Sequence, residues 1–132
     1  TRLENAFKKY DAEIACLVEE VNDPKKYGVV DGIFLENGVM KITEMKEKPK
    51  NPSTKFAIIA IYIFKSSIFD KLSDVKIKGN PEKQLAYAFN MAIKKNENVI
   101  GVFLKKSEKR IDIGTPESYL QVLTSSKTIK IE

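Results

Sequence analysis

Phe56-Ala57-Ile58-Ile59-Ala60-Ile61-Tyr62-Ile63-Phe64 is the longest apolar run in the sequence, nine residues held between Lys55 and Lys65. It is far shorter than the roughly 20 residues a membrane helix needs, and its β-branched and aromatic content reads as a strand. It has no polar face. A strand of that kind belongs in the middle of a sheet with both faces covered. This reading turns the whole chain toward a layered α/β architecture.

The flanking segments fit. Leu3, Ala6, Phe7 and Tyr10 share one helical face and predict a short opening helix. Strands are expected over Ile14 to Val21, Gly28 to Phe34 and Val39 to Lys46. A turn is expected at Asn22-Asp23-Pro24, and a hairpin turn at Glu36-Asn37-Gly38, where Asn-Gly tolerates positive φ. After the apolar strand, Asn80 can cap a helix opening at Pro81 and carrying Leu85, Ala88, Phe89, Ala92 and Ile93 on one side. Val99 to Leu104 and a short Arg110 to Ile113 read as further strands. Thr115 and Pro116 open a last helix, with Tyr119, Leu120 and Leu123 on its expected buried side. The order predicts a three-layer α/β domain with a mixed sheet over residues 1–132. No internal repeat or dividing linker appears.

Composition narrows the chemistry. The 132 residues are 42% hydrophobic and 31% charged, which excludes a disordered chain. There is no histidine, so Ser-His-Asp and Cys-His nucleophiles and most zinc sites are excluded. The lone Cys16 lies in an apolar stretch and reads as a buried, inert thiol; a reducing, cytoplasmic setting is the default. The net charge is +5, but the lysines are scattered among glutamates. With no basic stripe interleaved with aromatics and no apolar span, neither a nucleic-acid nor a membrane partner is expected. Carboxylates, lysines, backbone groups and hard metals remain, and these suffice for phosphoryl or nucleotidyl transfer.

Three short strings carry such chemistry. In Tyr27-Gly28-Val29-Val30 a glycine opens a strand and lets a ligand approach the backbone. In Glu47-Lys48-Pro49 a carboxylate suited to sugar hydroxyls stands beside an ammonium suited to phosphate. Adjacent strand residues point to opposite faces, so Glu47 and Lys48 meet one ligand only if the strand ends or twists there, and Pro49 stops it. In Asp112-Ile113-Gly114-Thr115-Pro116-Glu117-Ser118-Tyr119 a carboxylate precedes a capped helix start, a place suited to Mg²⁺ beside a phosphate. Alternatively, each string is ordinary structure: a strained turn, a charged strand end, a routine cap.

Together, in this order, the strings resemble the sugar-binding half of a sugar-1-phosphate nucleotidyltransferase, the nucleotide-sugar pyrophosphorylase family. The resemblance implies a Rossmann-like, nucleotide-diphospho-sugar-transferase-like domain truncated at its N-terminal half. It implies substrate contacts from Gly28, Glu47, Lys48, Tyr62 and Glu82, catalytic roles for Lys48 and Asp112, and Mg²⁺ held by Asp112. The expected partners are a sugar-1-phosphate and a nucleoside triphosphate. The family's Gly-rich signature, G-x-G-T-R-L-x-P-x-T, is absent, and Thr1-Arg2-Leu3 echoes it only by coincidence. The fragment alone is therefore expected to be inactive and to self-associate through a sheet edge or apolar face left exposed by the truncation, as a homo-oligomer. Ala60 stands where a glycine is common, Arg110 where a tryptophan is frequent, and Ala86-Tyr87 where Thr-Asp is usual. The alternatives are a non-catalytic sugar-phosphate sensor or regulatory domain, and a basic interaction module.

Overall fold

The computed structural model describes residues 1–73, 82–108, 110–111 and 113–125. Helix α1 (Arg2–Lys9) is closed at its start by Thr1, whose Oγ1 accepts the Glu4 N–H at 3.2 Å. It leads to β1 (Ile14–Glu20), a 3₁₀ turn (Pro24–Lys26), and the hairpin of β2 (Gly28–Glu36) and β3 (Val39–Glu47). Gly38 turns that hairpin at φ +76°, a value glycine adopts without the Cβ penalty other residues meet. Strand β4 (Phe56–Phe64), α2 (Ile68–Ser73), α3 (Glu82–Lys94), β5 (Val99–Phe103) and α4 (Pro116–Ser125) follow. The Asn80-Pro81 helix start lies outside the described residues.

The sheet is mixed, as expected: β1 and β5 run parallel, and the other pairings are antiparallel. The pairing order β1-β4-β2-β3-β5 returns to β1, so the strands close on themselves. The link between β2 and β4 is a single pair, Val29 with Ala57.

Layering is set by β1. Its alternate residues Ile14, Cys16 and Val18 join a core with Val30, Met40, Ile42 and Phe89. Ala15 and Leu17 face the other way, into a second core with Leu3 and Ala6 of α1 and Ile100 and Val102 of β5. Period-two alternation thus buries β1 on both faces, between α1 and the core beneath α3. Phe89 is fully enclosed, and truncating it to alanine would cost about 3–5 kcal/mol. Cys16 is buried and burial pushes its thiol well above its ordinary range, in keeping with an inert group.

Three expectations are corrected. β4 is not covered on both faces along its length, for Ile61 is 52% exposed. Opposite β1, pairing passes from Cys16–Tyr62 to Val18–Ile58, so three residues of β4 stand against Leu17 alone. Ala60 takes φ +52° at this bulge, which turns Ile61 outward. Arg110, Ile111 and Ile113 form no strand. Finally, α4 forms with Thr115 as its cap, the Ser118 N–H donating to Thr115 Oγ1 at 3.1 Å. Yet Tyr119, Leu120 and Leu123 are about half exposed. Helical spacing decides which residues share a face; it does not supply the layer that covers them.

Candidate functional site

The β2–β3 hairpin brings the first two strings together. Its open end pairs Gly28 with Glu47, the first residue of one strand with the last of the other. The ladder extends one step further, with the Lys48 N–H donating to the Tyr27 carbonyl at 3.0 Å. Lys48 itself sits at φ +42°, in the left-handed region. This is the twist that the alternation of strand side chains demands: past it, Glu47 and Lys48 line one cleft. Gly28 has a local reason to lack a side chain. A Cβ there would stand 2.9 Å from Met45 Cε and 3.1 Å from Glu47 Oε2.

The cleft is about 300 Å³ and is completed by Lys26, Tyr27, Met45, Ile58, Tyr62 and Leu85, within the usual range for small-ligand sites. Of its lining, Met45 and Ile58 are buried and apolar, whereas Lys26 and Lys48 are exposed. Tyr62 is fixed by stacking on Phe64, centroids 5.4 Å apart, and by an edge contact with Phe89. Burial, and after it the neighbouring Cys16 and then Glu47, push the Tyr62 phenol up to about 12, so it stays a neutral hydroxyl near pH 7. Asn90 of α3 ties the helix to this end of the hairpin by donating to the Met45 carbonyl at 2.9 Å.

Four of the residues expected from the sequence, Gly28, Glu47, Lys48 and Tyr62, therefore share one cleft. Leu85, expected as part of the apolar side of its helix, lines it as well. Glu82 opens α3, but its side chain lies outside the described residues, as does Asp112. Among the described residues there is no group of three or more histidine, cysteine or acidic side chains placed to hold a metal ion.

Sequence reasoning missed the part played by Tyr27 and Arg110. Arg110 Nη2 donates to the Tyr27 hydroxyl at 3.3 Å, its guanidinium lies 5.4 Å from the Tyr27 ring centre, and its Nε donates to Glu19 Oε2 at 3.1 Å. The only sequence signal was an arginine at a position where the resemblance favours tryptophan. A larger cavity of about 880 Å³ opens elsewhere, beside Phe34, Phe56 and Phe103. It holds none of the expected residues, and several of its charges already pair within the chain: Arg2 with Glu108, and Glu19 with Arg110. Size alone does not make it the site.

Comparison with known proteins points the same way. Residues 2–128 match the nucleotidyl transferase family. The chain is 36% identical over 120 residues to a Methanocaldococcus jannaschii protein bearing the provisional name UTP–glucose-1-phosphate uridylyltransferase, covering 88% of this chain and 41% of that one. It is 34% identical over 111 residues to the UTP–glucose-1-phosphate uridylyltransferase of Mycoplasma genitalium, covering 79% of this chain and 37% of that one. A crystal structure of apo UDP-glucose pyrophosphorylase superposes with a TM-score of 0.85 at 31% identity, over 96% of this chain and 46% of that one. The chain thus spans less than half the length of these relatives. No helix among the described residues is long and apolar enough to cross a membrane. With the hairpin cleft, the mixed sheet and these matches in agreement, the chain belongs to the nucleotidyl transferase family.

Proposed function

We propose that this chain is the sugar-phosphate half of a nucleotidyltransferase that joins a sugar-1-phosphate to a nucleoside triphosphate, releasing pyrophosphate and forming an NDP-sugar. The observation that carries the reading is the meeting of Gly28, Glu47, Lys48 and Tyr62 around one cleft. Each supplies something a phosphorylated sugar needs. Glu47 accepts hydrogen bonds from ring hydroxyls, and Tyr62, kept neutral, can donate or accept. Lys48 brings a compact positive charge to the phosphate. The absence of a side chain on Gly28 leaves room for the Glu47 carboxylate. A solved UDP-glucose pyrophosphorylase holding UDP-glucose, 31% identical with a TM-score of 0.82, supports this ligand class.

In this reading a phosphate oxygen of the bound sugar attacks the α-phosphate of the triphosphate in line, and pyrophosphate departs with its bonding electrons. The attacking oxygen is already ionised, so no general base is needed and a chain without histidine suffices. Lys48 offsets the charge that gathers on the reacting phosphates. Magnesium would supply further charge neutralisation. The described cleft residues do not by themselves make its site, and Asp112 is the carboxylate we assign to it from the sequence. Glu82 joins the sugar contacts in the same proposal. The triphosphate needs a Gly-rich loop that these 132 residues do not contain. Turnover therefore requires further chain, and the setting is a reducing cytoplasm.

The apolar side chains left exposed, Ile33, Phe34 and Leu35 of β2 and Ile61 of β4, support self-association when this segment is isolated. Sedimentation at rising concentration tests that point. The function is tested by pyrophosphate release from glucose-1-phosphate and each common nucleoside triphosphate. The protein encoded by the whole reading frame should turn over and the 132-residue chain should not. Turnover by the chain alone, or none by the whole protein, would overturn the proposal.

A further inference from the structure

We propose that Arg110 is a positioning residue for the phosphate-binding lysine, acting through Tyr27; this rests on the sugar-phosphate reading of the cleft. The guanidinium grips three points at once. Its Nε holds Glu19 Oε2 at 3.1 Å, near the end of β1. Its Nη2 holds the Tyr27 hydroxyl at 3.3 Å, and its plane lies over the Tyr27 ring at 5.4 Å. Tyr27 is thereby pinned at both ends, because its main-chain carbonyl accepts the N–H of Lys48 at 3.0 Å. Lys48 needs such a support. A non-glycine residue at φ +42° persists only where its surroundings hold it there. The path Glu19–Arg110–Tyr27–Lys48 is a continuous set of contacts from the frame of the sheet to the main chain of Lys48, a residue that lines the cleft.

A lysine at 110 could keep one contact with Glu19 but not the planar, several-handed grip, since guanidinium and ammonium differ in this respect. The arrangement also gives a physical meaning to an arginine at this position. A tryptophan can stack on Tyr27, but its single uncharged N–H cannot hold both the phenol and the carboxylate.

The test is a double-mutant cycle read by calorimetric titration of the full chain with glucose-1-phosphate, with glucose as the uncharged control. Arg110→Met should weaken glucose-1-phosphate binding by about tenfold, the middle of the range for residues coupled within one network. In a Lys48→Met background the same change should have no further effect, because the residue it positions is gone. Glucose binding should be equal for wild type and Arg110→Met. Arg110→Lys should stay closer to Arg110→Met than to wild type. A merely structural arginine would lower affinity by the same factor with and without Lys48, and that result overturns the proposal. So does a change under twofold in the single variant. If the wild-type chain binds glucose-1-phosphate no better than glucose, the reading of the cleft falls first and this inference with it. If the wild type binds and the cycle shows no coupling, only the role of Arg110 falls.

Discussion

The carboxylate of Glu47 folds over Gly28: its Oε2 lies 3.1 Å from where a Cβ on that glycine would stand, and the two residues pair across the open end of the hairpin. The glycine is thus an absence that lets a carboxylate lie flat along the strand. Gly28→Ala should displace Glu47 while the flexible tip of Met45 gives way. Sugar-phosphate affinity should fall by about tenfold, the loss of one charge-assisted hydrogen bond. Stability should fall by about 1 kcal/mol, the low end for an inserted group whose neighbours can give. Calorimetry and urea unfolding on one sample measure both; unaltered affinity would remove Glu47 from the site.

Lys48 sets strain against function. Its left-handed φ costs about 1–2 kcal/mol, while glycine there would lose about 0.5–1 kcal/mol through the freedom of its unfolded chain. Lys48→Gly should therefore be slightly more stable than wild type and bind glucose-1-phosphate poorly. Lys48→Ala should bind as poorly without the gain in stability. Denaturant midpoints separate the two, and a Lys48→Gly protein that still binds would show that the ammonium does not hold the phosphate.

Ala60 poses the same question away from the cleft. It holds φ +52° at the bulge of β4. Ala60→Gly should stabilise the chain by about 0.5–1 kcal/mol, the left-handed penalty less the glycine entropy. A lower melting temperature would show that the bulge is not strained.

Ala60 also shows how far the sequence could be read. The apolar run gave the strand with its correct ends, and the departure from glycine at 60 was visible. That the departure marks a positive φ, and hence an outward Ile61, depended on a register with β1 that no local pattern encodes. The hairpin was legible because Asn-Gly turns and alternating residues are local signals, and it carries most of the cleft. The Arg110–Tyr27 contact was not, since it joins residues 83 positions apart. The buried side expected of α4 was not found: Tyr119, Leu120 and Leu123 are exposed and Ser118 and Val122 are the less exposed positions, because a helix pattern says nothing of its neighbours.

A buried ion cluster fixes α2. Lys71 is only 4% exposed, with its Nζ 2.7 Å from Glu13 Oε1 and 3.1 Å from Glu97 Oε2, and Ser67 also donates to Glu13. Burial pushes the Glu13 carboxyl up, but hydrogen bonds from Lys71 and Ser67 and the lysine charges bring it net below its ordinary value. Burial lowers Lys71, yet Glu13 and Glu97 leave it net raised. The Glu13 contribution is therefore complete above the unfolded carboxylate range and lost as pH falls through its lowered folded value. That of Lys71 is complete below about 10.5 and lost only as pH rises through its raised value. Lys71→Met should cost about 3–5 kcal/mol near pH 7 by stranding the buried carboxylate of Glu13. The deficit should shrink as pH falls from 6 to 3, when Glu13 in the variant can protonate. Urea unfolding across that range measures it; a deficit independent of pH would mean that Lys71 acts through packing alone.

The most direct measurement is residue-resolved NMR of the chain during titration with glucose-1-phosphate. The account predicts amide shifts centred on Gly28, Glu47, Lys48 and Tyr62, saturating together and saturating only at much higher ligand with Lys48→Met. No shifts at saturating ligand, or shifts centred instead on the Phe34–Phe56–Phe103 cavity, would contradict it.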